Sequence, residues 1–303
     1  MKSLLEVFFT SLGGAVVVYY GVKLLLVTKM LYPKMWFPLP KSFFSSMGEW
    51  AVVTGASEGI GREYAFALAE QGMNVVIMSR TKATLEQLAK EIGEATSRTV
   101  KVLVADFTED KVFGDIEEQL KDLNIGVLVN NVGMLPSNVP KRFLEDTDLD
   151  QMCKTLLPGM ENRGKGVIIN VSSGIACIPF PMYSLYAASK IFVERFSQGL
   201  QAEYKEKGML IQAVTPFGVS TRMIGYQATD MVTLSPRDFV KSSLQYLRAG
   251  DRTYGSICHM FLGWLIRSTP RKILYADSVL NGLQEYVEKK QAKTRSISTL
   301  SVA

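Results

Sequence analysis

The chain has 303 residues, 47% of them apolar and 21% charged, with a net charge of +5. That supplies the core of one large α/β domain plus a short appendage, or of two small domains, and the scattered charge offers no basic face for nucleic acid. Three well-separated cysteines, Cys153, Cys177 and Cys258, form no CxxC pair and exclude a disulfide framework or zinc site, and the single His259 sits in the apolar "ICHMFLGW", where it reads as packing.

The first segment stands apart. "VFFTSLGGAVVVYYGV", Val7 to Val22, carries no charge, and with Lys23 snorkelling the apolar run continues to Val27. These are about 21 residues, or roughly 31 Å of helix, enough to cross a bilayer. Lys23, Lys29, Lys34 and Lys41 follow, whereas Lys2 and Glu6 before the run cancel. The bias predicts an uncleaved anchor in contact with membrane lipid, with everything after it in the cytosol. A cleaved signal peptide is the competing reading, but the run is long and no A-x-A-like site follows it. "YPKMWFPLPKSF" supplies prolines and aromatics suited to the headgroup zone and ends the helix. Residues 1–48 are thus expected as anchor and linker, and 49–303 as a folded domain with a helical extension from about residue 227.

From Trp50 the chain alternates strand and helix. "WAVVTG" is a strand, "GREYAFALAEQG" an amphipathic helix, "NVVIMS" a strand and "KATLEQLAKEIGEAT" a helix. "TVKVLVAD", "IGVLVNN", "GVIINVSS" and "MLIQAVTP" complete six expected strands. Thr108–Leu123 and Tyr183–Lys207 are further helices. Nearly continuous apolar strands joined by helices predict a parallel sheet covered on both faces, a Rossmann-like, doubly wound α/β fold that binds ligands beyond the strands' carboxyl ends.

The first such end reads "TGASEGIG", Thr54 to Gly61, with Ser57 and Ile60 between the glycines. Gly55, Gly59 and Gly61 let backbone approach a pyrophosphate, and the following helix N-terminus favours the anion. A purely structural turn is the alternative. The second strand ends in Ser79 and Arg80 where an NAD site usually carries a carboxylate. A hydroxyl and a guanidinium match a 2′-phosphate, so NADP(H) is the expected cofactor, with Arg80 as a solvated charge the alternative. In "PMYSLYAASK", Tyr186 and Lys190 are four residues apart and share a helix face, so the ammonium favours the phenolate. Tyr183 has no such lysine and either faces elsewhere or lines the pocket. The bland alternative is a solvated helix surface.

"TGASEGIG", Asp106 in "ADFT", "NNVG" at Asn130 to Gly133, "NVSSG" with Ser173 and "YAASK" stand in the order of the short-chain dehydrogenases/reductases, which the chain resembles from Trp50 to Met223. "PKSFFSSMGEWAVVTGA", "VLVNNVGML" and "SSGIACIPFPMYSLYAASK" are similar to the microsomal branch acting on 17-ketosteroids, with the very-long-chain 3-oxoacyl-CoA reductases beside it. The resemblance implies Tyr186 as the proton donor to a reduced ketone, Lys190 also holding the nicotinamide ribose, and Ser173 bonded to the substrate oxygen. Asp106 and Asn131 resemble adenine-side and strand-stabilising residues. Thr221, with Val219 in the same "TPFGVSTRM", matches the nicotinamide end. The implied substrate is a steroid or other apolar ketone. "IPFPMY", "MLP", Met223, Ile224 and Tyr226 are the expected greasy lining, each also an ordinary core candidate. "ICHMFLGWLI" is too short to span a membrane and is expected to cover the pocket or touch the bilayer.

One departure is large. The family resemblance calls for a long helix carrying a relay asparagine between Gly133 and Asn170, but the asparagines there are Asn138 and Asn162, at the interval's ends. "EDTDLDQM" reads as the start of that helix and "CKTLLPGM" as its finish. An internal deletion of roughly a dozen residues is expected, leaving about 11 helical residues, or roughly 16 Å, too little to cover a sheet face. A genuinely shortened helix is the other reading. The homodimer the resemblance implies, and turnover itself, are in doubt on this account, so an inert NADP(H)-binding chain is a third possibility. A smaller departure puts Phe217 against the cofactor loop.

Overall fold

The structure, a computed structural model, describes residues 3–109, 111–133, 148–181, 183–282 and 284–285. Helix α1 (Leu4–Leu31) opens on a capping box, in which Ser3 and Glu6 each accept the other's backbone N–H. None of its residues is buried. It is longer than the apolar run alone predicts because Thr28 to Leu31 continue the helix up to Pro33. Two short helices, α2 (Pro33–Trp36) and α3 (Phe43–Met47), complete the linker, and Phe44 anchors it in the core.

The domain is a seven-stranded sheet in the order β3-β2-β1-β4-β5-β6-β7. Its strands are β1 (Trp50–Thr54), β2 (Asn74–Ser79), β3 (Val100–Val104), β4 (Ile125–Asn130), β5 (Gly166–Val171), β6 (Met209–Val214) and β7 (Arg252–Thr253). Every pairing is parallel. Side chains alternate between two cores, as a pleat covered on both faces requires. Ala51 and Val53 join one with Tyr64 and Leu68 of α4 (Gly59–Glu70), Leu85 and Leu88 of α5 (Lys82–Thr96), and Phe239 of α9 (Pro236–Gln245). Val52 joins the other with Ile116 of α6 (Val112–Leu120) and Met152, Leu156 and Met160 of α7 (Asp148–Asn162). Strand order reverses between β1 and β4, the switch point where such sheets bind ligands.

Helix α7 departs from the expectation. It spans 15 residues, about 22 Å. Met152, Cys153, Leu156, Leu157 and Met160 are all buried, so its apolar stripe stays in phase and covers the sheet. Asn162 ends the helix, while Asn138 and the "MLP" segment lie outside the described residues. The two-residue β7 was not expected from the sequence. Helix α8 (Ser184–Tyr204) runs beside β6 and is followed by a single 3₁₀ turn.

Candidate active site

A cleft of about 600 Å³ opens beyond the carboxyl ends of β1 to β6. Its floor is the glycine loop. Gly55 has φ +61° and Gly59 φ +59°, the left-handed region that favours glycine. A Cβ on Gly55 would lie 2.9 Å from Asn131 Nδ2, and one on Gly59 2.9 Å from Thr221 Cγ2, while one on Gly61 would strike the Gly55 carbonyl. The loop is held from below. Asn131 donates from Nδ2 to the carbonyls of Thr54 (3.3 Å) and Gly55 (3.1 Å), and its N–H donates to Thr54 Oγ1 (3.0 Å). Such a cradle, closed to side chains and opening onto α4's first turn, fits a dinucleotide's pyrophosphate.

Of the sequence-predicted cofactor residues, Thr54 and Gly61 do not line this cleft and the others meet at it. Ser57, Ile60, Ser79, Arg80, Asp106, Val219 and Thr221 all line it. Ser79 is buried, and its hydroxyl accepts the N–H of Thr81 (3.4 Å). Arg80 is exposed at the rim and forms no ion pair among the described residues. Asp106 Oδ1 accepts bonds from the N–H (3.1 Å) and hydroxyl (2.9 Å) of Thr108, closing a turn beyond β3.

Ser173, Tyr186 and Lys190 also converge here. Tyr186 and Lys190 are 9% and 8% exposed on one face of α8. Lys190 Nζ donates to the Val171 carbonyl (3.3 Å) and stands 5.8 Å from the Tyr186 ring centre. Gly133 makes room for it, since a Cβ there would come within 2.9 Å of Nζ. The phenol hydroxyl meets the thioether of Met223 (3.9 Å), a weak acceptor that a carbonyl oxygen could replace. Ser173 Oγ accepts the Ile175 N–H (3.4 Å), which leaves the hydroxyl's own proton to donate.

Phe180, Tyr183, Met223 and Ile224 line the cleft, so Tyr183 faces the pocket. Tyr226 does not. It sits at the rim at φ +48°, its hydroxyl donating to Glu58 (3.3 Å), which also pairs with Arg222 (2.5 Å) and so bridges the glycine loop to the segment after β6. Ile266 of α10 (Ile257–Ser268) reaches the cleft, so that helix covers the pocket.

Sequence reasoning missed the arrangement around Phe217. The ring stacks on Tyr254 (5.6 Å) and presses on Gly174, whose Cβ would lie 2.7 Å from it. The fully buried His259 does more than pack. Its Nδ1 accepts the Phe217 N–H (3.3 Å), which places the ring proton on Nε2 to donate to the Val232 carbonyl (2.9 Å).

Comparison with known proteins gives the same reading. Residues 49–231 match the short chain dehydrogenase family. The 17-beta-hydroxysteroid dehydrogenase type 3 of Danio rerio is 50% identical, covering 96% of this chain and all of its own length. That alignment runs over 306 positions, more than the 303 residues present, so it opens gaps in this chain. The Homo sapiens protein of that name is 44% identical over 92% of this chain and 94% of its own. A very-long-chain 3-oxoacyl-CoA reductase of Anas platyrhynchos is 40% identical over 82% of each chain. Among solved structures, a short-chain dehydrogenase from Sphingobium yanoikuyae in complex with NADPH superposes with a TM-score of 0.64 at 28% identity, covering 75% of this chain and 95% of its own. With its parallel sheet, glycine cradle and paired tyrosine and lysine, the chain belongs to the short-chain dehydrogenase/reductase family of oxidoreductases.

Proposed function

We propose that the chain is an NADPH-dependent ketone reductase that converts 17-ketosteroids of the androstenedione type to 17β-hydroxysteroids, anchored by α1 in the endoplasmic reticulum membrane with the domain in the cytosol. The carrying observation is the buried pair Tyr186 and Lys190 at an apolar-walled cleft beside Ser173. A reduced nicotinamide supplies the hydride when bound. Ser173 donates to the ketone oxygen and holds it at the phenol. Tyr186 then gives its proton to the developing alkoxide, and Lys190, one turn away, favours the phenolate left behind. Arg80 and Ser79, at the end of β2, suit the 2′-phosphate of NADP(H). The basic residues that follow α1 favour a cytosolic domain.

A 3-oxoacyl-CoA is the second reading, since relatives of that name align with most of the chain. It calls for cations at the mouth to meet the CoA phosphates. The cations lining the cleft are Arg80, Lys190 and Arg222, of which Arg222 is held by Glu58 and Lys190 lies at the floor. That count favours the steroid.

Purified full-length chain with NADPH is expected to consume androstenedione and not a 3-oxoacyl-CoA. Tyr186→Phe is expected to lower turnover at least about 100-fold while NADPH still quenches tryptophan fluorescence. Undiminished turnover by Tyr186→Phe would overturn the proton-donor assignment. Quenching without turnover of either substrate by the parent would make the chain an inert NADP(H) binder.

A further inference from the structure

The linker after α1 encloses a second cavity, of about 860 Å³, which shares no lining residue with the active-site cleft. Its walls are the linker between Lys34 and Phe44 and the outer faces of α4 and α9. The groove is built rather than a loose gap. Tyr246 donates from its hydroxyl to the Met30 carbonyl (2.7 Å), Arg248 donates to the Pro38 carbonyl (3.1 Å), and Phe44 is 3% exposed.

Its charge is one-sided. Lys34, Lys41, Arg237 and Lys241 line it, all exposed, and none forms an ion pair among the described residues. Arg62 is already taken by Glu63 (2.8 Å) and Glu91 (2.5 Å). Glu70 is the one lining carboxylate left to oppose the four cations. Between those charges lie Phe37, Phe66 and Leu244, an apolar wall beside a cationic one.

Its position follows from the chain. Lys34 comes three residues after the last residue of α1, and Trp36 lies under Lys29 Nζ (5.3 Å), an aromatic and a cation paired as at a membrane interface. A span that ends at Leu31 puts the linker among lipid headgroups.

We propose that this groove binds an anionic phospholipid of the membrane that α1 spans. The four cations hold the headgroup phosphate, and the glycerol and upper acyl carbons lie on Phe37, Phe66 and Leu244. Clustered Lys and Arg just cytosolic of a span gain attraction from an anionic lipid that a zwitterionic one does not offer. The inference rests on the reading of α1 as a membrane anchor, and it adds a second attachment that fixes how the domain sits on the bilayer.

The test uses full-length chain in non-ionic detergent, given equal phosphatidylserine and phosphatidylcholine and examined by native mass spectrometry. One phosphatidylserine is expected to be retained, with about tenfold preference. Arg237→Glu/Lys241→Glu is expected to abolish the preference; glutamate at 237 suits the first turn of α9 and glutamate at 241 is a good helix former, so the helix is retained. Lys34→Gln/Lys41→Gln, in the linker, gives an independent check should the first variant fail to fold. The control Lys82→Glu/Lys90→Glu on the exposed face of α5 should keep the preference. Equal retention of both lipids, or a preference that survives in both groove variants, would overturn the inference. So would displacement of the lipid by millimolar inorganic phosphate, which would make the groove a free-phosphate site. Alkaline carbonate extraction tests the anchor separately: a chain that stays in the membrane yet shows no lipid preference sinks the groove alone.

Discussion

Arg80 and His259 show how single residues carry the proposal. Arg80 follows β2 and puts an exposed guanidinium at the cleft rim. Because a charge-assisted bond contributes roughly 1.5–3 kcal/mol, Arg80→Gln should lower kcat/KM for NADPH about 10- to 100-fold and leave NADH almost unaffected. Equal losses with both cofactors would assign the residue to the fold. His259 is bonded at both ring nitrogens, so protonating Nδ1 would set it against the Phe217 N–H. Burial, the larger effect, holds the imidazole below its ordinary value against the raising influence of bonds to Val232, Gly218 and Tyr254. A lowered folded-state value means stability is whole above about pH 6.5, where the unfolded chain is also neutral. It declines as pH falls below that toward the folded-state value. Melting temperature should therefore drop between pH 7 and 5.5. In His259→Phe that slope should flatten, with stability at pH 8 lower by about 1–3 kcal/mol for the two orphaned backbone groups. An unchanged slope in the variant would place the titration elsewhere.

At the scale of elements, α7 is where an internal deletion is testable. Its buried stripe from Met152 to Met160 is continuous. Three turns are 10.8 residues, so about 11 inserted residues return the stripe to the sheet, whereas about 13 turn it away by more than half a circle. An 11-residue helical insertion after Met152 that includes an asparagine should raise kcat with melting temperature held or raised, and a 13-residue one should lower melting temperature. If the 11-residue version changes neither, the deletion reading is wrong. Much at this scale was legible in the sequence, because β1, β2, β4, β5 and β6 are largely buried apolar runs and a four-residue spacing fixes Tyr186 and Lys190 on one face. The two-residue β7 was not legible. It has no apolar run and is held by register with Ala213 and Val214 and by Arg252 reaching the buried Glu194 (2.8 Å). The Phe217–Tyr254–His259 cluster was hidden for a different reason. Phe217 lies far from Tyr254 and His259 in the chain, and no local period links it to them.

Across the whole molecule, two bodies of opposite surface character share one chain. The 28 residues of α1 bury nothing, so they add nothing to the domain's core, and they expose a nearly unbroken apolar surface that water disfavours. The domain buries Phe44 of the linker and packs Leu39 and Phe43 against its core, and among the described residues its side-chain hydrogen bonds to what precedes Phe44 are the Tyr246 bond to Met30 and the Arg248 bond to Pro38. Removing residues 1–31 deletes the first of these ties and leaves the second and Phe44 in place. Each such bond is worth about 1 kcal/mol net, so the truncated domain should melt within a few degrees of the parent and still bind NADPH. It should also leave the membrane fraction under alkaline carbonate, whereas the parent should stay. An apolar steroid concentrates in lipid, so the truncation should raise the apparent KM for a membrane-delivered ketone while kcat in detergent is held. Loss of NADPH binding on truncation would show instead that α1 is part of the folding unit and that the anchor and the domain are one cooperative body.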